Sequence, residues 1–321
     1  MSLGTAWVVG RGLLGGNLER ALEGAWDLYR PAAPHPWGDH EALARAFDLE
    51  AAECLARARR NGGALFVAWT AGVGVIGSPA EVLANDERAL GQLLAALDRA
   101  GAIDEARFFH AGSAGGAWGG SLERPVTERS PVAPLNDYGR TRLRMEDAVR
   151  AWIEGRRGWR ALLGRISTLF GPGQDLQKAQ GLLSHVSRSV IFDRPVNIYV
   201  PLDTLRDFLF APDCAAAIAE SARLLLVQPR DGERCTMKLF ADEQSVSLLQ
   251  VAHAVGKVGK RRVKLTTART QPLGAQAPAL VFRSLVLPEA RVRRTDFVTA
   301  VSLLHQEQLR VFREGRLRAP A

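Results

Sequence analysis

Residues Thr5 to Val9 form a short apolar run that stops at Gly10-Arg11-Gly12-Leu13-Leu14-Gly15-Gly16, and a helix-like stretch, Asn17 to Leu22, follows. Gly10, Gly12 and Gly15 satisfy G-x-G-x-x-G in the setting where that spacing has a mechanism, at the end of a strand and the start of a helix. The first glycine makes the tight turn, the second admits the backbone to a pyrophosphate, and the third lets the helix pack on the strand. The helix N-terminus then faces the negative charge. A chain that opens this way is committed to a strand–turn–helix unit, and the remainder must supply further strands to pair with it.

It does so in alternation. Trp26 to Tyr29 reads as a second strand, Asp39 to Arg60 as a helix with Leu43, Phe47 and Leu55 on one side, and Leu65 to Trp69 as an apolar strand. Glu81 to Ala100 is an amphipathic helix. Arg107 to His110 is a strand entering a glycine-rich loop, Gly112 to Gly120. Tyr138 to Glu154 is helical, with Leu143, Val149 and Ile153 available for an apolar face, and Ala161 to Leu169 is a strand closed by Gly171-Pro172-Gly173. This rhythm predicts an α/β fold, a Rossmann-like doubly wound parallel sheet with its ligand edge at the strand ends. After Gly173 the alternation weakens: Pro195 to Pro201 is strand-like, Asp213 to Val227 helical, and the tail basic and loop-rich. The expected division is a dinucleotide-binding part over 1–172, to which 205–235 returns, and a smaller interleaved substrate lobe over 173–204 and 236–321.

At 321 residues the chain has room for one sizeable core and an appended lobe. Its composition, 47% hydrophobic and 24% charged, is that of a globular protein, and no apolar stretch approaches the roughly 18 residues of a membrane span. Cys54, Cys214 and Cys235 stand at unrelated spacings, and the six histidines show no metal-ligand pattern, so neither a disulfide framework nor a metal site is expected. His110, at a strand end, reads as structural. No signal-peptide pattern opens the chain, and the cytoplasm is the expected compartment. The net charge of +8 is spread along the sequence, with short clusters only at Lys260-Arg261-Arg262 and Arg291 to Arg294. Neither sits between aromatics that could stack bases, so nucleic acid is not the expected partner. Arginine carries nearly all the positive charge, and no lysine precedes Lys178.

The acid expected about 20 residues after the glycine loop, to hold an adenosine ribose hydroxyl, is missing. Asp27 lies inside the second strand, which ends at Tyr29-Arg30. Arg30, with Arg11 inside the glycine loop, suits a 2′-phosphate instead, which favours NADP over NAD.

Asn136-Asp137-Tyr138-Gly139-Arg140-Thr141-Arg142 resembles the Tyr-x-x-x-Lys helix of extended short-chain dehydrogenases/reductases of the NAD-dependent epimerase/dehydratase kind, with arginine in the lysine's place. Gly112-Ser113-Ala114 before Trp118-Gly119 is similar to that family's S-S-A…Y-G segment, RISTLFGPG (Arg165 to Gly173) to R-x-x-N-x-Y-G-P-G, and Arg206-Asp207-Phe208 with Asp213 to R-D-F-x-x-x-x-D. Asn85 before a helix and Asp39 after Trp-Gly also fall where the family has such residues. The likeness runs in order from about Val8 to Ile218.

The resemblance implies a role for each matched residue. Tyr138 would exchange a proton with a substrate hydroxyl or carbonyl, Ser113 would hydrogen-bond the same oxygen, and Arg142 would stand in for the lysine. Gly10, Arg11, Gly12, Leu14, Gly15, Arg30, Asp39 and Thr70 would hold NADP or NAD. Arg206, Arg283 and Thr168 would meet the substrate, in this family often a nucleotide-linked sugar. A homodimer formed through the helices at Glu81 and Tyr138 is expected on the same ground. Independently of the family, a tyrosine of ordinary pKa, about 10, is mostly protonated near neutrality. A fixed cation four residues along the same helical face favours the phenolate and makes a usable base. Arginine keeps the charge but is planar and bulkier than an ammonium. Two functions therefore stand: an NAD(P)-dependent reductase or epimerase, and a catalytically impaired NAD(P)-binding protein of the same fold.

Overall fold

The computed structural model describes residues 2–101, 103–174, 181–227, 232–267, 279–288 and 292–317. Arg291 of the basic cluster and Lys178 lie outside the described residues. β1 (Gly4–Val9), β2 (Asp27–Tyr29), β3 (Ala64–Trp69), β4 (Ala106–Ser113), β5 (Trp159–Ile166) and β9 (Cys235–Phe240) form one six-stranded sheet in the order β2-β1-β3-β4-β5-β9, every pair parallel. β1, β3 and β5 are buried along their whole length, because helices cover both faces of a parallel sheet. The expected alternation is the observed one.

α2 (His40–Asn61), α3 (Ala80–Ala100) and α5 (Asp137–Glu154) cover one face. There Leu43, Phe47, Leu90, Leu93, Met145 and Val149 close on Trp7, Trp69, Phe108 and Leu163. α1 (Leu13–Leu22) and α7 (Ala211–Val227) cover the other, with Leu18, Leu22, Cys214 and Ile218 against Val8, Phe66 and Phe109. The common doubly wound order places a further strand outside the second. Here β2 is the edge, and α2 leads from it straight to β3.

The C-terminal half corrects two expectations. The segment rejoining the main sheet begins with α7 and ends with β9 at Phe240. β8 (Leu205–Phe210), expected within it, belongs instead to a three-stranded sheet with β6 (Thr168–Phe170) and β10 (Ser245–Ser247). Among its described residues the tail, expected as loop-rich, carries helices. α6 (Leu182–Ile191), α8 (Leu248–Gly259) and α9 (Phe297–Arg313) pack with β6 and β8 around Phe170, Phe208, Phe210, Val251, Val301 and Leu304. β7 (Val196–Ile198) pairs with β11 (Leu265–Thr267) beside them. The short α4 (Ala114–Trp118) fills the gap between β4 and α5. Among the described residues no helix is long and apolar enough to cross a membrane.

Candidate active site

The glycine loop has the geometry its spacing foretells. Gly10 takes φ +95°, and a Cβ there would lie 2.5 Å from the Ala71 backbone. At Gly15 a Cβ would meet the Gly10 carbonyl at 2.0 Å, so only glycine lets α1 press this close to the strand end. A Cβ at Gly12 would meet nothing within 4 Å. Gly12 is the N-cap of α1, no side chain caps the helix, and its first turn carries no acid. The leading N–H groups of α1 therefore lack the partners that cap side chains usually supply. A helix start with no capping side chain, opening on the exposed Gly12, is a cradle for an anion such as a pyrophosphate, and the residues present fit a dinucleotide.

The other cofactor candidates divide. Thr70 donates its hydroxyl to the Gly10 carbonyl (2.6 Å) and Val9 carbonyl (3.1 Å), so it buttresses the loop from the end of β3. Leu14, in the first turn of α1, is buried in the cluster that joins this helix to the sheet and offers the loop only its backbone. Asp39 is the N-cap of α2, its carboxylate accepting from the Ala42 N–H at 3.0 Å, and it follows the loop after β2 rather than a strand end. Arg11 and Arg30 are brought together: both approach the buried Glu19 carboxylate, at 3.0 and 3.8 Å, and Arg30 also pairs with Glu23 at 2.9 Å. The sequence reading missed Glu19, although its place two turns into α1 was the available signal.

Ser113 ends β4 and caps α4, its Oγ accepting from the Gly116 N–H at 3.0 Å. Gly116 and Gly139 bring α4 onto the first turn of α5, since a Cβ on Gly139 would sit 2.3 Å from the Gly116 carbonyl. That contact sets Ser113 beside the turn that carries Tyr138. Tyr138 is half-buried, and its hydroxyl has no hydrogen-bond partner among the described residues. Two residues that carry hydroxyls thus stand on adjoining turns of α4 and α5.

Arg142 departs from expectation. Its guanidinium lies 5.1 Å from the Tyr138 ring centre, but Nη2 binds Asp86 Oδ2 at 3.0 Å and the Gly74 carbonyl at 3.3 Å. Both partners of this ion pair are buried, and Asp86 also accepts from the Val73 and Gly74 N–H groups. The longer, forked side chain has found a carboxylate on α3 rather than standing free over the sheet edge. Asp86 was missed by the sequence reading. Its neighbour Asn85, the residue matched to the family, only accepts from Arg88 at the surface. His110, fully buried between Trp69 and Leu163 in the sheet, has no partner for either ring nitrogen among the described residues. Burial, reinforced by the charge of Arg142, pushes it down to about 3.

The substrate candidates lie on or near the small sheet. Arg206, on β8 opposite Val246, donates to the Leu205 carbonyl at 2.8 Å, and burial pulls it down to about 10. Thr168 is exposed at the start of β6. Arg283 is exposed on a segment whose backbone N–H meets the Val126 carbonyl at 2.9 Å. Asp207, next to Arg206, is buried and clamps the turn after β9, accepting from the Asp242 and Glu243 N–H groups at 2.9 and 2.7 Å.

Comparison with known proteins bears on the fold and the family. Residues 8–228 match the model of the NAD dependent epimerase/dehydratase family. A curated relative, dTDP-L-rhamnose 4-epimerase of Burkholderia thailandensis, is 26% identical over 129 residues, which cover 40% of this chain and 34% of the relative, so the match spans about a third of that enzyme's length. Among solved structures, UDP-N-acetylglucosamine 4-epimerase from Methanobrevibacter ruminantium superposes with a TM-score of 0.75 at 15% identity, over 96% of this chain and 99% of that one. UDP-glucose 4-epimerase from Thermotoga maritima gives 0.73 at 14%, over 97% and 99%. RMD from Pseudomonas aeruginosa, complexed with NADPH, gives 0.73 at 17%, over 95% and 98%. At these identities the superpositions speak for the fold, while the family match covers the glycine loop, Ser113, Tyr138 and Arg206 alike. The chain belongs to the NAD-dependent epimerase/dehydratase family.

Proposed function

We propose that the protein is an NAD(P)-dependent reductase or epimerase acting on a nucleotide-linked sugar or a related hydroxyl or carbonyl compound. The observation that carries this reading is the uncapped start of α1 beside the open Gly12, with Ser113 and Tyr138 carried on turns that meet at Gly116 and Gly139. A bound dinucleotide supplies hydride transfer at its nicotinamide. The chain's own part is to hold and move a proton. Tyr138 gives its hydroxyl proton to a substrate carbonyl oxygen during reduction, or takes one from a substrate hydroxyl during oxidation, while Ser113 donates a hydrogen bond to the same oxygen. Arg206, a partly desolvated cation on the facing small sheet, suits a substrate diphosphate. Arg11 and Arg30, meeting at one carboxylate, favour NADP. α3 and α5, packed side by side, are the faces through which two copies would associate.

The test is turnover of NADPH or NADH with UDP- and dTDP-sugars as substrates. Tyr138→Phe is expected to lower the rate at least a hundredfold while leaving cofactor affinity within about threefold. The commitment of Arg142 to Asp86 favours a second reading, a dinucleotide-binding protein whose acid/base step is impaired. Tight cofactor binding with no turnover of any carbonyl or sugar nucleotide would select it.

A further inference from the structure

The basic run Lys260-Arg261-Arg262, which the catalytic reading leaves unused, closes one end of the smaller lobe. α8 ends on Gly259, where a Cβ would lie 2.5 Å from Val190 of α6 and 3.4 Å from His305 of α9, so the three helices meet there. Beyond them Phe192, the C-cap of α6, packs edge-to-face with Phe312 in the last turn of α9, the ring centres 5.1 Å apart. Lys264 returns to the same end and pairs with Asp193 at 2.9 Å, a carboxylate that the charge of Arg261 also reaches. The C-terminal ends of α6, α8 and α9 therefore share one tip.

That tip is strongly basic. Arg194, Lys257, Lys260, Arg261, Arg262 and Lys264 are all exposed there, and Asp193 is the one acid in the segments that carry them, 192–195 and 256–267. The last turn of α9 adds Arg310 and Arg313, and Arg316 follows; Glu314 takes Arg310, at 2.8 Å, and Arg316. A helix C-terminus offers about half a negative charge, so three such ends and two carboxylates fall well short of the cations gathered here. The chain otherwise prefers arginine, yet three of its five lysines stand at this tip. An ammonium is a compact, hydrated point charge, whereas a guanidinium fits one phosphate or carboxylate bidentately. Lysines interspersed with arginines therefore suit a broad field of negative charge rather than one shaped anion. Phe312, 41% exposed, adds an apolar group of the kind a lipid headgroup boundary accepts. One ring already packed on Phe192 is not a platform for successive bases. We propose that this tip of the smaller lobe docks on a membrane surface of anionic lipid headgroups.

Sedimentation of the full chain with vesicles is the test, setting equal parts of phosphatidylglycerol and phosphatidylcholine against phosphatidylcholine alone. The wild type is expected to bind the anionic vesicles only, and to leave them as salt rises. A basic residue near such a surface strengthens binding about fivefold, so Lys260→Gln/Arg261→Gln/Arg262→Gln should weaken it about thirtyfold or more. Arg45→Gln/Arg60→Gln/Arg157→Gln removes the same charge from exposed positions on the dinucleotide-binding part. That variant should stay within about threefold of the wild type, since its charges lie beyond the reach of a screened surface. Arg261→Lys/Arg262→Lys, which keeps the field, should bind like the wild type, and thermal melts check that each variant is folded. A wild type that ignores anionic vesicles overturns the docking surface. Equal losses in the two glutamine variants overturn it as well, because net charge alone would then be responsible. Loss of binding in the lysine variant would mark a shaped site for a single phosphate in place of a lipid surface. Displacement from the vesicles by duplex DNA at equal phosphate concentration would assign the tip to nucleic acid instead.

Discussion

Asp86 and Arg142 show how much a single counter-ion changes the meaning of a motif. From the sequence, Arg142 was a cation one turn from Tyr138, and nothing local to it suggested otherwise. Its partner stands 56 residues away on another helix, so the pair became visible only once α3 and α5 had packed. Both groups are buried, and a buried pair is most costly when half of it is removed, because the remaining charge is left uncompensated. Asp86→Ala is therefore expected to cost about 3–5 kcal/mol of unfolding free energy in urea. Asp86→Asn should cost less, since an amide still accepts one of the two loop N–H groups. An alanine variant within about 1 kcal/mol of the parent would mean that water already reaches the guanidinium. Glu19 teaches the same lesson at the glycine loop. The cations Arg11 and Arg30 were legible one by one, their shared carboxylate was not.

The elements that spacing rules describe well are those whose rule is steric. The strand–glycine–helix unit was legible in full, because each glycine answers a separate clash or approach, and the structure lets these be tested one at a time. Gly12→Ala adds a methyl that meets no protein atom, so stability should stay within about 0.5 kcal/mol while dinucleotide affinity falls about tenfold or more. Gly15→Ala drives a methyl into the Gly10 carbonyl, a backbone atom with no flexible way out, and should cost about 1–3 kcal/mol of stability as well as the cofactor. Thermal melts set beside NADPH titrations separate the two, and equal stability losses would contradict the loop geometry. By contrast, α6, α8 and α9 escaped the sequence reading. Ser184, Ser187 and Ser189 on α6 and His305 and Gln308 on α9 are buried, which interrupts the apolar periodicity that reveals a helix. Ser187 and His305 satisfy one another at 2.8 Å, a pairing between helices that no one-dimensional pattern contains.

Across the whole molecule, alternation of strands and helices was enough to give the parallel sheet. It could not show that β2 is the edge, that β8 leaves for the smaller sheet, or that β9 completes the larger one, because strand order is set by packing between distant segments. Nor could it show how deep His110 lies. That histidine sits at the centre of the sheet, held neutral by burial and by the nearby Arg142, and is lowered from 6.5 to about 3. The sign of the resulting pH dependence follows from proton counting. Below about pH 6.5 the unfolded chain binds a proton at this ring and the folded chain does not, so stability is lost as pH falls from there towards about 3. At about 1.4 kcal/mol per pH unit, the loss from this one residue reaches about 2 kcal/mol by pH 5. His110→Leu removes the titrating ring, and carboxylates, which titrate in both proteins, cancel in the comparison. Urea unfolding at pH 7 and pH 5 should therefore show a smaller drop for His110→Leu than for the wild type, by about 2 kcal/mol. Equal drops would mean that the ring takes up its proton inside the folded sheet, and that the interior beside Arg142 is wetter than its burial implies.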